Sequence, residues 1–206
     1  MFALVQDGSI TKYISGNKGI TIGDIQYPQS IFTLWSADEK KAIGIYEVEY
    51  DNTNKKDEAW YINTNQSFAF ANDKVTGSYG SATAKAHADT TWTQEDSDDG
   101  LMPSDQSIGD IKTRGLKYNL IQTIKKQAAG ELQNTDWYVV RKADAGTAVP
   151  SAITTHRVAV RTKADEMETA ITNASNTPAL ETLYTFTKQE DGSVTRPLGE
   201  LPTLES

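Results

Sequence analysis

The chain has 206 residues, with 20 Lys+Arg against 28 Asp+Glu for a net charge of −8, which is room for one or two domains. An isoelectric point near 4.8 argues against a protein that reads nucleic acid over a broad face, because that face would repel the phosphates. Cysteine is absent and histidine occurs twice, so disulfides, thiolate nucleophiles, cysteine-ligated zinc and multi-histidine metal sites are excluded together. No apolar run approaches the ~20 residues of a membrane span. The opening MFALVQDGS lacks the charged and long apolar regions of a secretory signal.

In chain order, the front half reads as short strands broken by turn residues. Phe2–Val5 and Ile10–Tyr13 flank Asp7-Gly8, a strong hairpin signal because the turn needs positive φ. Residues 15–30 carry three glycines and a proline and read as loop with one short strand. The apolar run Ile31–Trp35 continues the series of strands. Ser36, with Glu39 three residues on, forms a capping box that opens a short helix, and Gly44 closes it. Ile45–Tyr50 alternates apolar and acidic side chains, as a half-buried strand does. Ala59–Ile62, Ser67–Phe70 and Val75–Tyr79 add further strands. Together they predict a small antiparallel β-rich domain over residues 1–93.

Residues 94–110 (QEDSDDGLMPSDQSIGD) are acidic and poor in apolar side chains, which predicts an exposed linker. Beyond it the period becomes helical. Leu116, Leu120, Ile124, Ala128 and Leu132 recur every four residues, predicting a helix from about Ile111 to Leu132 or Trp137. Residues 138–149 read as a connection. After Pro150, a seam of Ile153, His156, Val160, Ala164, Met167, Ile171 and Ala174 has the spacing of a helix that pairs with the first one or with another chain. The expected fold class is therefore α+β. It comprises the β-rich domain, an acidic linker over 94–110, a helical hairpin over 111–176, and, over 177–206, a short helix with Thr177 as N-cap and Pro178 first inside it, a strand at Leu183–Thr187 and an extended tail.

Charge is uneven. Residues 1–100 carry 15 acids and 8 lysines with no arginine, whereas residues 105–163 carry ten bases against five acids. Two pieces with different partners, or two solvated faces, both account for this.

A search for chemistry finds little. His87 and His156 are the only imidazoles available as general bases, and His156 lies on an apolar seam. Nucleophile-elbow, phosphate-loop and dinucleotide motifs are missing. Aligning Gly100 with position 6 of a calcium loop places Glu95, Ser97 and Asp99 at positions 1, 3 and 5, but Gln106 stands where a glutamate is needed. Trp35, Trp60 and Trp92 with Tyr46, Tyr50 and Tyr61 form either a sugar-stacking surface or core. The expectation is a protein that is not an enzyme and uses no cofactor or metal.

Two stretches carry a resemblance. Thr135-Asp136-Trp137, followed after a proline-containing connection by His156-Arg157-Val158-Ala159-Val160-Arg161, resembles the C-terminal region of bacteriophage tail-fibre assembly and tail assembly chaperone-like proteins, with His156 where tyrosine is usual. The front hairpin Phe2–Tyr13 with Trp35–Tyr50 is similar to small N-terminal domains of tail-associated phage proteins. The resemblance implies a non-enzymatic phage tail structural protein, a virion component linking tail, baseplate or tail-fibre proteins and present in the host cytoplasm during assembly. An assembly chaperone that leaves before maturation, and a glycan-binding host-recognition module, are the alternatives. No nucleic-acid or membrane partner is expected. The residues expected to bind a partner, or a second copy through the seam, are Leu116, Leu120, Ile124, Trp137, Ile153, His156, Arg157, Val160, Arg161 and Met167.

Overall fold

The computed structural model describes residues 1–204. Helices take 36% and strands 23% of the chain, an α+β protein with its sheet N-terminal and its main helices C-terminal. Two compact units divide at Thr83/Ala84. The expected linker at 94–110 therefore lies inside the second unit rather than between the two.

In the first unit, β1 (Phe2–Gln6) and β2 (Ser9–Ile14) form the expected hairpin. Its turn residues Asp7 and Gly8 both have positive φ, 50° and 75°. A small hairpin of β3 (Ile20–Ile22) and β4 (Ile25–Tyr27) follows. Ile31–Leu34 is a helical turn, α1, and not a strand. Ile31 and Phe32 are both buried; adjacent residues on a strand would face opposite ways, whereas one helical turn brings both to the core. α2 (Ala37–Ala42) has the expected capping box, with the Glu39 amide donating to Ser36 Oγ and the Ser36 amide to Glu39 Oε2.

β5 (Ile45–Asp51) is followed by the short β6 (Tyr61–Ile62), then β7 (Ser67–Ala71) and β8 (Lys74–Ser78). The main sheet has the order β2-β1-β5-β8-β7. It is mixed rather than antiparallel, because β8 runs parallel to β5 with Val48 opposite Val75. The excursion over residues 52–73 makes this possible, since parallel neighbours need a long return path. The sheet curls, and Tyr13 on one edge strand meets Phe68 on the other with ring centroids 4.9 Å apart. β1 is covered on both faces. Leu4 joins Ile14, Ile20, Ile31, Phe32 and Ile45, while Ala3 and Val5 join Val48 and Val75, as the alternation of a strand requires.

β9 (Thr83–Ala84) marks the boundary of the units. In the second, β10 (Thr90–Thr91) pairs with β11 (Ile111–Thr113), enclosing the acidic segment and its helix α3 (Gln94–Asp98). The segment is ordered by its own contacts. Asp96 makes a capping box with Thr93 and an ion pair with Lys112, while Trp92 exchanges backbone hydrogen bonds with Gly109 and Asp110. α4 (Leu116–Gln133) starts five residues later than expected because 111–113 is strand. Its first amides are satisfied by the preceding chain: Gly115 N–H donates to Asp89, Leu116 to the Ala86 carbonyl and Lys117 to that of His87.

α5 (Asp136–Ala145) occupies most of the expected connection, and α6 (Ser151–Asn173) follows it. α4 and α6 pack together and run antiparallel: Lys117 near one end of α4 reaches the Thr172 carbonyl of α6, and Arg157 near the start of α6 reaches Leu132. α7 (Thr177–Tyr184) is capped by Asn176, whose side chain accepts from the Ala179 amide, rather than by Thr177. The expected strand at 183–187 is displaced, with β12 (Thr187–Lys188) and β13 (Val194–Thr195) forming a hairpin around Asp191-Gly192. The tail is anchored within its own unit at Leu198, which is buried and donates its amide to the Leu183 carbonyl.

Candidate functional site

The α4–α5–α6 junction is organised by one cation. Arg157 lies on the apolar face of α6 and is 8% exposed. Its guanidinium donates to the Leu132 carbonyl at 2.9 Å, to Thr135 Oγ1 at 2.6 Å and to Asp136 Oδ1 at 2.8 Å. Leu132 ends α4 and Thr135-Asp136 begins α5, so one side chain satisfies a helix-end carbonyl and fixes the turn between two helices. Thr135 is buried and also donates to Leu132. The Thr-Asp-Trp and His-Arg segments, 21 residues apart at Asp136 and Arg157, are thereby in direct contact.

What the clamp holds is unusual in one respect. α5 has no buried residue. Trp137, Val139 and Val140 are 52%, 44% and 65% exposed, and Val158 on α6 is 55% exposed. Arg141 stacks on Trp137 and Tyr138, 4.6 and 5.4 Å from their ring centroids. The helix ends at Gly146, whose φ of 67° suits a left-handed cap. Between α5 and α6 runs an open groove of about 310 Å³ lined by Val139, Lys142, Ala148, Val149, Val158 and Arg161, among others. Neither Lys142 nor Arg161 has an ion-pair partner among the described residues. The groove therefore sets Val139, Ala148, Val149 and Val158 beside Thr154, Arg157 and two cations that make no ion pair among the described residues, Lys142 and Arg161.

The ten residues expected to bind a partner fall into two sets. Ile124, Ile153, His156, Arg157, Val160 and Met167 are buried, and Leu116 and Leu120 half-buried. The seam is thus covered within the chain by the pairing of α4 with α6 and is not open to a second copy. Trp137 and Arg161 are exposed and belong to the α5–α6 surface. His156 Nε2 is buried with no hydrogen-bond partner.

Other candidates have structural explanations. The frame of a calcium loop at 95–106 is broken by α3, and among the described residues no group of three or more histidines and carboxylates is placed to hold a metal ion. No helix there is long and apolar enough to cross a membrane. The aromatic set does not form one open platform: Trp60 and Tyr61 are buried, Trp35 packs edge-on against Tyr27, and Trp92 lies in the second unit under Lys112. A polar cluster in the first unit joins Lys41 Nζ to Asp73 Oδ2 at 2.6 Å and the Tyr46 hydroxyl to Asp73 Oδ1 at 2.9 Å. The hydrogen bond with Asp73 raises both Lys41 and Tyr46 above their ordinary values, and that with Lys41 holds Asp73 below its own. Each group is locked in its resting protonation state, the reverse of what a lysine nucleophile or tyrosine base needs. The cluster fixes the β7–β8 turn to α2 and β5.

Sequence reasoning missed α5 and with it Val139, Val140 and Val158. The readable signals were an acid at the first turn, Asp136, and Gly146 just past the end. Compared with protein families, with characterised proteins and with solved structures, the chain matches none.

Proposed function

We propose that this is a non-enzymatic structural protein that acts through protein–protein contact, as a component of a phage tail that links or organises tail and tail-fibre proteins. The observation that carries the contact role is α5, a helix with no buried residue that leaves Trp137, Val139 and Val140 exposed, with Val139 beside Val158 in the groove. A ten-residue helix is too short to hold its own shape in water, and large apolar side chains gathered at the surface of one short element mark an interaction surface. The phage-tail assignment is supported by the resemblance at Thr135–Trp137 and His156–Arg161, segments that Arg157 joins physically.

Quantitative mass spectrometry of gradient-purified particles from the encoding phage tests this reading. A fixed ratio of the chain to tail proteins is expected. Presence in the infected-cell lysate with absence from particles overturns the virion role in favour of a chaperone. Val140→Asp, at a position 65% exposed, is expected to leave the melting temperature unchanged and to reduce incorporation. Unchanged incorporation would remove α5 from the interface.

A further inference from the structure

We propose that the α5–α6 groove of one chain takes the acidic Asp98–Ile108 segment of a second copy, giving head-to-tail association. This rests on the reading of α5 and α6 as a contact surface and names its occupant. The groove side is basic: residues 136–163 carry five bases against two acids, and Lys142 and Arg161 at the groove have no ion pair among the described residues. The opposite character is found elsewhere in the same unit. Residues 94–110 carry six acids and no base, and they display Leu101 and Ile108 at 61% and 53% exposure.

Asp98 and Asp99, next to Leu101 in sequence, are without ion pairs among the described residues. Asp98, Asp99, Leu101 and Ile108 thus all face solvent, and so do Lys142, Arg161, Val139 and Val158 at the groove. At about 310 Å³ the groove is at the small end for a drug-sized ligand but accommodates one or two aliphatic side chains. Both surfaces are exposed in the same chain, so neither covers the other within it. Contact between two different surfaces is heterologous, and it propagates as a ring or an open filament rather than stopping at a symmetric dimer. Complementary charge sets the register, while the aliphatic contact supplies the burial.

Sedimentation velocity on the full chain tests the proposal. At about 100 μM protein and about 50 mM NaCl, concentration-dependent self-association is expected, weakened about 10-fold or more near 500 mM NaCl as the charges are screened. Lys142→Glu with Arg161→Glu makes the groove acidic, and Asp98→Lys with Asp99→Lys makes the Asp98–Ile108 segment basic. Each double variant alone is expected to be monomeric, with far-UV circular dichroism like the parent's, and an equimolar mixture is expected to associate again. That restoration separates charge pairing from misfolding. A wild-type chain that stays monomeric, association that survives in both variants, or a mixture that fails to associate would each overturn the proposal. A monomeric chain whose incorporation into particles still depends on Val140 would overturn only the self-contact and leave the contact role standing.

Discussion

Replacing Arg157 by methionine keeps an unbranched apolar stem and removes the guanidinium with its three donated hydrogen bonds. The bond to Asp136 contributes least, because that carboxylate is 57% exposed and solvent screening holds such a pair to ~0–1 kcal/mol. The bonds to Leu132 O and Thr135 Oγ1 come from a charged donor in a buried setting, worth ~1.5–3 kcal/mol each. Thr135 Oγ1 itself donates to Leu132 O at 2.8 Å, so after the substitution these two groups still satisfy each other in part. The balance is a loss of about 3 kcal/mol. Arg157→Lys retains charge without the fork and is expected to lose roughly half as much. Urea unfolding followed by circular dichroism reads the cost in the transition of the second unit. Hydrogen exchange reads the location: amides of α5 should exchange far faster while those of α4 and α6 stay protected. A loss below about 0.5 kcal/mol together with unchanged exchange in α5 would refute the clamp.

Three further outcomes follow from the geometry. A Cβ at Gly115 would lie 2.3 Å from the Ala88 carbonyl carbon and oxygen, so Gly115→Ala should destabilise by roughly 1–3 kcal/mol; nothing lies within 4 Å of a Cβ at Gly130, so Gly130→Ala should stabilise α4 by up to ~1 kcal/mol. Thermal melts of the pair should move in opposite directions. The Asp89 carboxyl is held below its ordinary value, first by the Gly115 amide and then by Arg114; its stabilisation is present above the unfolded value near 3.8 and is lost as pH falls through the lower folded one. Asp89→Asn should thus be less stable than the parent at pH 7, with the difference closing below about pH 4, as acid titrations of the two proteins will read. Because His156 Nε2 already lacks a partner, His156→Leu should fall within ~1 kcal/mol of the parent in urea unfolding, whereas Val160→Asp, at a fully buried site, should cost ~3–5 kcal/mol by burying an unpaired charge.

What the sequence made legible was local chemistry. Asp7-Gly8 announces a turn because positive φ is costly for most residues. Ser36 and Glu39 announce a helix start because each holds the other's amide. The period of Ile153 to Ile171 announces a buried helical face, since all its contacts are on one side. The parallel pairing of β5 with β8 leaves no such mark, because register across the excursion over residues 52–73 is a tertiary property. The acidic segment hides its order for a related reason: its composition is that of a solvated linker, yet Thr93, Lys112 and the backbone of Trp92 tie it down from outside its own span. At the candidate site, Arg157 and Arg161 share a helix face by spacing and were indistinguishable. Burial separates them, one inside the junction and the other at the rim of the groove.

α5 is hard to read in the sequence because its large apolar residues, Trp137, Tyr138, Val139 and Val140, are consecutive and fill one turn rather than recurring over several. In the structure it buries none of its residues. Its shape must then come from its attachments, which are Thr135, Asp136 and the guanidinium of Arg157 at its first turn. Taking a guanidinium out of water is costly, and replacing a whole buried ionic set together by packed apolar residues is often as stable, so joining α4 to α6 does not by itself require an arginine here. Orientation does, because a planar fork with three fixed acceptors sets the angle of α5 in a way that aliphatic contacts do not. An orienting role has its own consequence: in Arg157→Met, at urea-free conditions where the second unit remains folded, contact through α5 should weaken more than the fold does. Association that persists at full strength in that variant would show that the exposed helix needs no fixed angle, and the link from clamp to interface would fail.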